Sequence, residues 1–288
     1  MGKIRIGVLR GGPSLEYSVS LLTGQNVLKH MPKDKYRAYD ILITKDGIWH
    51  ENGFPAPAHK ILTKFDAIFN ALHGEYGEDG KVQQILEAYS LPYTGSGIIP
   101  SALAMNKVAS KDLFKKAGLK VPKWLAVEKG GDLREKAKEI HESLFSPWVI
   151  KPQDRGSSVG VSVARNIPEL IGALSEAFMY SDRAIAEEYI AGREATCGVL
   201  ENFRGQKYYA LPVVEIIPVS GKFFDNKAKY DGTTKEICPA NFDPETSKKI
   251  QESAIAAHRA LGLRHYSRSD FRISKRAFLS SRRTLFPG

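Results

Sequence analysis

A lysine that closes an apolar run and opens onto small residues is the feature of this sequence best suited to chemistry. Val149-Ile-Lys-Pro-Gln-Asp-Arg-Gly-Ser-Ser-Val-Gly160 has that form. Gly156, Ser157 and Ser158 let backbone N–H groups approach an anion closely, and Lys151 supplies a point charge. The pattern suits a bound phosphate. It also suits a Gly-Ser hairpin turn beside a surface lysine. It is not a Walker A loop, because at Gly80-Lys81 the next residue is Val82 and Glu75 stands where the first glycine belongs. Cys197 and Cys238 are far apart and have no Cys-x-x-Cys or His-rich neighbours, so reduced thiols are expected rather than a disulfide or zinc site.

The elements that must position such a loop can be read from periodicity. Ile4–Leu9, Arg37–Ile43 and Asp66–Leu72 read as strands, with helices expected over 16–31 and 79–89. This alternation predicts a parallel sheet with crossover helices, whose ligands lie at the carboxyl ends of strands. Gly11-Gly12 and His73–Gly80 occupy those ends. A Gly/Pro-rich stretch, Leu91–Gly97, reads as a boundary. Beyond it come helices at about 107–117 and 132–143 and strands at 123–128, 147–151 and 159–163. A helix at about 168–179 leads to a strand at 184–188. Long β-like runs follow at 194–200 and 207–217, then a polar loop (220–235), a helix (about 244–260) and a strand (about 264–274).

Composition bounds the function. The 288 residues are 42% hydrophobic and 26% charged, which excludes a mostly disordered chain and favours two or three domains. No apolar run approaches the ~20 residues of a membrane helix, and the start lacks the apolar block of a signal peptide. The net charge is +10, but residues 272–288 hold five basic residues and no acidic one. Without them 37 basic residues face 32 acidic ones, an ordinary balance for a protein that handles phosphates. No nucleic-acid motif appears.

Seven segments, in this order, resemble the D-alanine–D-alanine ligases of the ATP-grasp superfamily. They are Gly11–Ser20, His73–Gly80, Met105-Asn-Lys107, Lys151–Gly160, Glu187–Glu194, Asp225–Tyr230 and Tyr266–Asp270. The resemblance covers residues 3 to 274. It implies an α/β chain, α+β in its central part, with a three-domain ATP-grasp architecture. The domains are an N-terminal substrate-binding domain (1–97), a central ATP-grasp domain (98–186) and an incomplete C-terminal ATP-grasp domain (187–288). It further implies that Lys107, Lys151, Ser158 and Lys229 hold ATP phosphates, that Glu187 meets the adenine amino group, that Ile190 covers the adenine face, and that Glu194 accepts the ribose hydroxyls. The resemblance also points to Glu16, Ser157 and Tyr230 as a hydrogen-bonded set around the amino acid substrates, to be assembled by closure of the 220–232 loop. Glu16 binds the first ammonium, with Val19 and His73 lining that pocket. Arg268 is implied to stabilise developing negative charge. Tyr230 after Lys229 marks dipeptide-forming ligases and so an amine as second nucleophile. Taken alone, Glu187 and Glu194 suit a solvated face, and His73 suits a loop histidine capping a helix.

The resemblance implies ATP and two Mg2+ (or Mn2+) ions, D-alanine as substrate, a cytoplasmic location and, from relatives, a homodimer; it implies no nucleic acid or membrane partner. It breaks at the metal site. Asp270 fits the first ligand of the family, but the Glu-x-Asn and Thr-x-Pro-Gly that should follow are replaced by a tail containing Ser281, Arg282 and Arg283. Arginine cannot ligate magnesium, which takes oxygen donors. Codons open to Ser280–Gly288, read one register out, permit Ile-Glu-Ala-Asn-Thr-Leu-Pro-Gly. A frameshift after about Asp270 is therefore expected, with weak ATP binding and little or no ligation by this chain. Competing expectations are a carboxylate–amine ligase for another amino acid and a non-catalytic nucleotide-binding relative.

Overall fold

Apolar residues on both faces of one strand make it the centre of a sheet covered on both sides. Strand β1 (Ile4–Gly11) is such a strand: Val8 and Leu9, which point to opposite faces, are both fully buried. In the computed structural model, which describes residues 2–218, 234–274 and 278–284 (backbone only at 218 and 278–284), the chain divides into two compact units. One holds the residues through Ala102 together with Leu263–His265; the other holds Leu103–Gly262 and the chain from Tyr266.

In the first unit β1 pairs in parallel with β2 (Tyr36–Ile43) and β5 (Ala67–Asn70). Helix α1 (Tyr17–His30) crosses between β1 and β2, and α3 (Lys81–Ala88) follows β5. Ile6 and Val8 pack with Val27, Leu28 and Met31 on one face of the sheet, and Leu9, Ile41, Ile43 and Leu86 pack on the other. The parallel expectation holds for the centre only. The short strands β3 (Trp49–Glu51) and β4 (Phe54–Pro55) extend the edge antiparallel, giving the order β4-β3-β2-β1-β5. The cause is Asn52-Gly53, whose φ values of 53° and 83° are those of a two-residue hairpin turn. A short helix, α2 (Ala58–Leu62), closes the edge, and α4 (Ile98–Met105) follows the glycine-rich boundary.

The second unit contains two antiparallel sheets. Strands β6 (Trp124–Glu128), β9 (Arg183–Glu188), β7 (Trp148–Pro152) and β8 (Ser162–Ala164) form one, in that order. Helices α6 (Leu133–Ser143) and α7 (Ile167–Ala177) cover its apolar face, which includes Trp148, Ile150 and Ala186. Helix α5 (Lys107–Lys116) precedes β6.

The other sheet runs β13-β12-β10-β14-β15, with β11 also on β10. These strands are β10 (Arg193–Phe203), β11 (Gln206–Ala210), β12 (Val214–Pro218), β13 (Thr234–Ile237), β14 (Tyr266–Ile273) and β15 (Phe278–Thr284). The single run expected over 207–217 is two strands; Pro212, which has no N–H for a ladder, sits in the break. Helix α8 (Pro244–Ala260) packs Ile250 and Ala254 on Cys197, Val199 and Phe271. Burial pushes the Cys197 thiol up to about 12, so it stays protonated at neutral pH, and both cysteines are free. Among the described residues no helix is long and apolar enough to cross a membrane.

Gly11 shows how tightly β1 ends. Its φ is +88°, and a Cβ there would lie 2.2 Å from the Ile43 carbonyl oxygen. Gly11→Ala is expected to cost about 2–4 kcal/mol, read from the urea midpoint at unchanged m. A midpoint equal to the parent's would contradict this packing.

Candidate active site

Parallel neighbours end at one edge, so β1 and β5 deliver Gly11-Gly12 and Ala71–Gly74 to the same place. Ser20 of α1 joins the two loops, its hydroxyl donating to the Ala71 carbonyl (2.7 Å) and accepting from Gly11 N–H (2.8 Å). Glu16 is the N-cap residue of α1, where the helix dipole favours a carboxylate. The Ser14 hydroxyl accepts from its N–H at 3.1 Å. Gly74 (φ +68°) passes directly against it; a Cβ there would stand 2.6 Å from Ser14 Oγ and 2.8 Å from Glu16 Oε2. His73 is buried, with Nε2 2.8 Å from Thr23 Oγ1, one turn beyond the half-buried Val19 on α1. Glu16, Val19 and His73 therefore belong to one end of one sheet.

In the second unit, Lys151 on β7 and Glu187 on β9 lie on the face of the four-stranded sheet opposite Trp148, Ile150 and Ala186. Lys151 Nζ donates to Glu187 Oε2 at 2.7 Å. Lys111 Nζ of α5 is 3.2 Å from the other oxygen, Oε1. All three side chains are buried. Burial pushes the Glu187 carboxyl up, but the two ammonium groups outweigh it and hold its pKa down at about 2. Both oxygens of Glu187, implied to meet the adenine amino group, thus face lysines.

Lys107, at the first position of α5, braces the loop after β7. Its Nζ donates to the carbonyls of Pro152 (2.8 Å) and Arg155 (2.5 Å), and its N–H donates to the Gln153 carbonyl (3.0 Å). Asn106 caps α5 and accepts from Gln153 Nε2 at 3.1 Å. Ser157 and Ser158 follow with φ of 44° and 60°, an uncommon pair for residues other than glycine. Consecutive residues in turn conformations of this kind aim N–H groups at one point. Backbone strain of this order, about 1–3 kcal/mol per residue, concentrates at ligand sites.

On the six-stranded sheet, register places Glu194 opposite Arg272, Thr196 opposite Asp270 and Gly198 opposite Arg268. Alternation puts Glu194, Arg268, Asp270 and Arg272 on one face, while Ser267, Ser269 and Phe271 turn inward. Arg272 forms an ion pair with Glu194, and its Nη1 donates to the Gly192 carbonyl at 3.3 Å. Arg268 Nε is 3.6 Å from Asp270 Oδ1. Ile190 is half-buried between β9 and β10.

These residues do not fit a two-magnesium centre. Asp270 offers one carboxylate, its backbone pairs in register with Arg282, and no group of three His, Cys, Asp or Glu is placed to hold a metal among the described residues. Lys229, Tyr230 and the 220–232 loop lie outside the described residues. Sequence reasoning missed Lys111 and Arg272. Lys111 had a signal, since it stands four residues after Lys107 and shares its helix face; Arg272 had one in its two-residue spacing from Asp270 on a strand.

Known proteins share the sequence family and the fold of this chain. The family model described as D-ala D-ala ligase N-terminus matches residues 5–58 and 51–96, and that for the D-ala D-ala ligase C-terminus matches 113–280. A D-alanine–D-alanine ligase of Geobacter sulfurreducens is 39% identical over 94% of this chain and 80% of its own. One of Bacillus cytotoxicus is 36% identical over 96% of this chain and 84% of its own. The crystal structure of VanG D-Ala:D-Ser ligase from Enterococcus faecalis superposes with a TM-score of 0.85 at 31% identity, covering 100% of this chain and 91% of that one. The D-alanine–D-alanine ligase of Coxiella burnetii gives 0.84 at 25% identity, covering 100% and 86%. The fold is the ATP-grasp architecture, and the chain belongs to the D-alanine–D-alanine ligase family.

Proposed function

We propose that this protein is built to join two D-alanines at the expense of ATP, yielding D-alanyl-D-alanine, ADP and phosphate for peptidoglycan synthesis in the cytoplasm. The observation that supports this reading most is the buried Lys151–Glu187 pair, with Lys151 on the strand that leads into a Gly-Ser-Ser loop whose start Lys107 braces. In the reaction, the carboxylate of the first D-alanine attacks the γ-phosphorus and ADP leaves. The amine of the second then attacks the acyl carbon, and phosphate departs. Lys107 and Lys151, with Lys229, take the charge spread over phosphoryl oxygens. Glu16 pairs with the first ammonium, His73 and Val19 shape its pocket, and Ser157 with Tyr230 completes the set. Ser158 N–H faces phosphate, Ile190 the adenine ring and Glu194 the ribose hydroxyls. Arg268 offsets the tetrahedral oxyanion. The family's two divalent ions are only partly provided for, through Asp270. A homodimer is part of the proposal by family analogy.

A second reading, nucleotide binding with little ligation, is favoured by the acid-free residues 272–288. The test is phosphate release from ATP with D-alanine, D-serine, L-alanine or D-lactate as acceptor, alongside calorimetry with ATP. Release that depends on D-alanine supports the ligase. Release that is equal with every acceptor or with none refutes it, and ATP binding without D-alanine-dependent release supports the second reading.

A further inference from the structure

A buried carboxylate shared by two buried ammonium groups is an unusual allocation of charge. Taking each ion out of water is costly, and one lysine would already neutralise Glu187. The trio Lys111–Glu187–Lys151 therefore carries a formal net charge of +1 inside the second unit, with side chains 6%, 2% and 9% exposed. The two contacts differ in kind. Lys151 makes an aligned hydrogen bond to Oε2 at 2.7 Å, whereas Lys111 Nζ meets Oε1 at 3.2 Å without hydrogen-bond alignment. Lys111 thus acts on Glu187 mainly through charge.

The helix that carries Lys111 also carries Lys107, one turn earlier on the same face, and is capped by Asn106. Both of those residues grip the loop after β7 through Pro152, Gln153 and Arg155. One helix therefore sets the loop at its start and the buried carboxylate one turn on.

We propose that Lys111 is a positioning residue of the nucleotide site: by holding Oε1 of Glu187 it fixes the carboxylate that orients the Lys151 ammonium, and it keeps this buried cluster positive for a polyphosphate. This rests on the nucleotide-binding part of the proposed function and adds a residue to it. An uncharged nucleoside should be nearly indifferent to Lys111, while a triphosphate should depend on it.

The test measures binding of ATP and of adenosine to the full chain by calorimetry, for the parent, Lys111→Met, Lys111→Arg and Lys151→Met. Lys111→Met is expected to weaken ATP by about 10-fold or more and adenosine by less than about 3-fold, with Lys111→Arg keeping ATP affinity near the parent's. Lys111→Gln, which keeps a donor for Oε1 without the charge, is expected to show the same split and serves if the methionine variant does not fold. Equal losses for ATP and adenosine would mean a structural role and overturn the proposal. So would unchanged ATP affinity in Lys111→Met while Lys151→Met loses it, which leaves the nucleotide site standing. A parent chain that binds no ATP overturns the nucleotide site itself and this role with it.

Discussion

Exchanging the residues after Asp270 for a segment bearing Glu-Ala-Asn-Thr-Leu-Pro-Gly is expected to raise D-alanine-dependent phosphate release by about 10²-fold or more. Magnesium takes oxygen donors in near-octahedral geometry and sheds water reluctantly. This chain supplies Asp270, but residues 272–288 add five basic side chains and no carboxylate. Their charge opposes a divalent cation as well as failing to bind it. The exchanged segment restores a carboxylate and an amide oxygen near the position where strand β15 runs beside Asp270. ATP affinity measured without metal should change little, because Lys107, Lys151 and Glu187 are untouched. If the parent already releases phosphate as fast as the exchanged chain, the tail is not what limits catalysis. Reading the gene past the Asp270 codon tests the frameshift behind this argument: a coding frame with no such motif removes it.

Glu187→Gln is expected to lower stability by about 3–5 kcal/mol, a large part of the ~5–15 kcal/mol that usually holds a fold. The glutamine removes the carboxylate charge that the buried Lys111 and Lys151 share. Replacing all three residues by apolar ones of similar size, Lys111→Met with Lys151→Met and Glu187→Leu, should recover much of that loss while destroying the nucleotide site. The pH dependence has a definite sign. The Glu187 carboxyl sits at about 2 in the folded chain against an ordinary value of 4.5. A depressed folded value means that the stabilisation is complete above about pH 4.5 and is lost as pH falls toward 2. The denaturation midpoint of the parent should therefore fall more steeply than that of Glu187→Gln across this window. Parallel acid limbs would show that the carboxylate is not held as the geometry implies.

Much of the fold was legible because its signals are local. The 244–260 helix announces itself with Asp243 as cap and Pro244 at its first position, and the structure has Thr246 N–H donating to Asp243 Oδ1 at 2.8 Å. The apolar run within Ile4–Leu9 marked the first strand. The edge hairpin was missed although Asn52-Gly53 is a strong turn signal, because strands of three and two residues are too short for alternation to register. The site divides the same way. Lys151, Ser157 and Glu16 stand in motifs that carry their own chemistry. Lys111 sits among other lysines on an amphipathic helix, and only its packing against Glu187 shows that its charge is spent indoors. Glu194 read as a ribose ligand from its motif, yet its ion pair with Arg272 depends on pairing across 78 positions of sequence, which no local pattern encodes.

Leu263–His265, a late segment, belongs to the first unit. There the Arg264 guanidinium lies 4.6 Å from the centre of the Tyr93 ring and donates to the Gly95 carbonyl at 2.8 Å, and Gly95 N–H donates to His265 Nδ1 at 3.1 Å. Synthesis runs at ~5–20 residues per second, so the ribosome needs roughly 8–30 seconds after Ala102 to deliver these three residues. The amino-terminal sheet therefore stays unfinished at Tyr93–Ser96 while nearly the whole second unit is made. Slowing translation between Ala102 and Leu263 lengthens that wait, and a nascent chain halted before Leu263 presents Tyr93 without its arginine to proteases and chaperones.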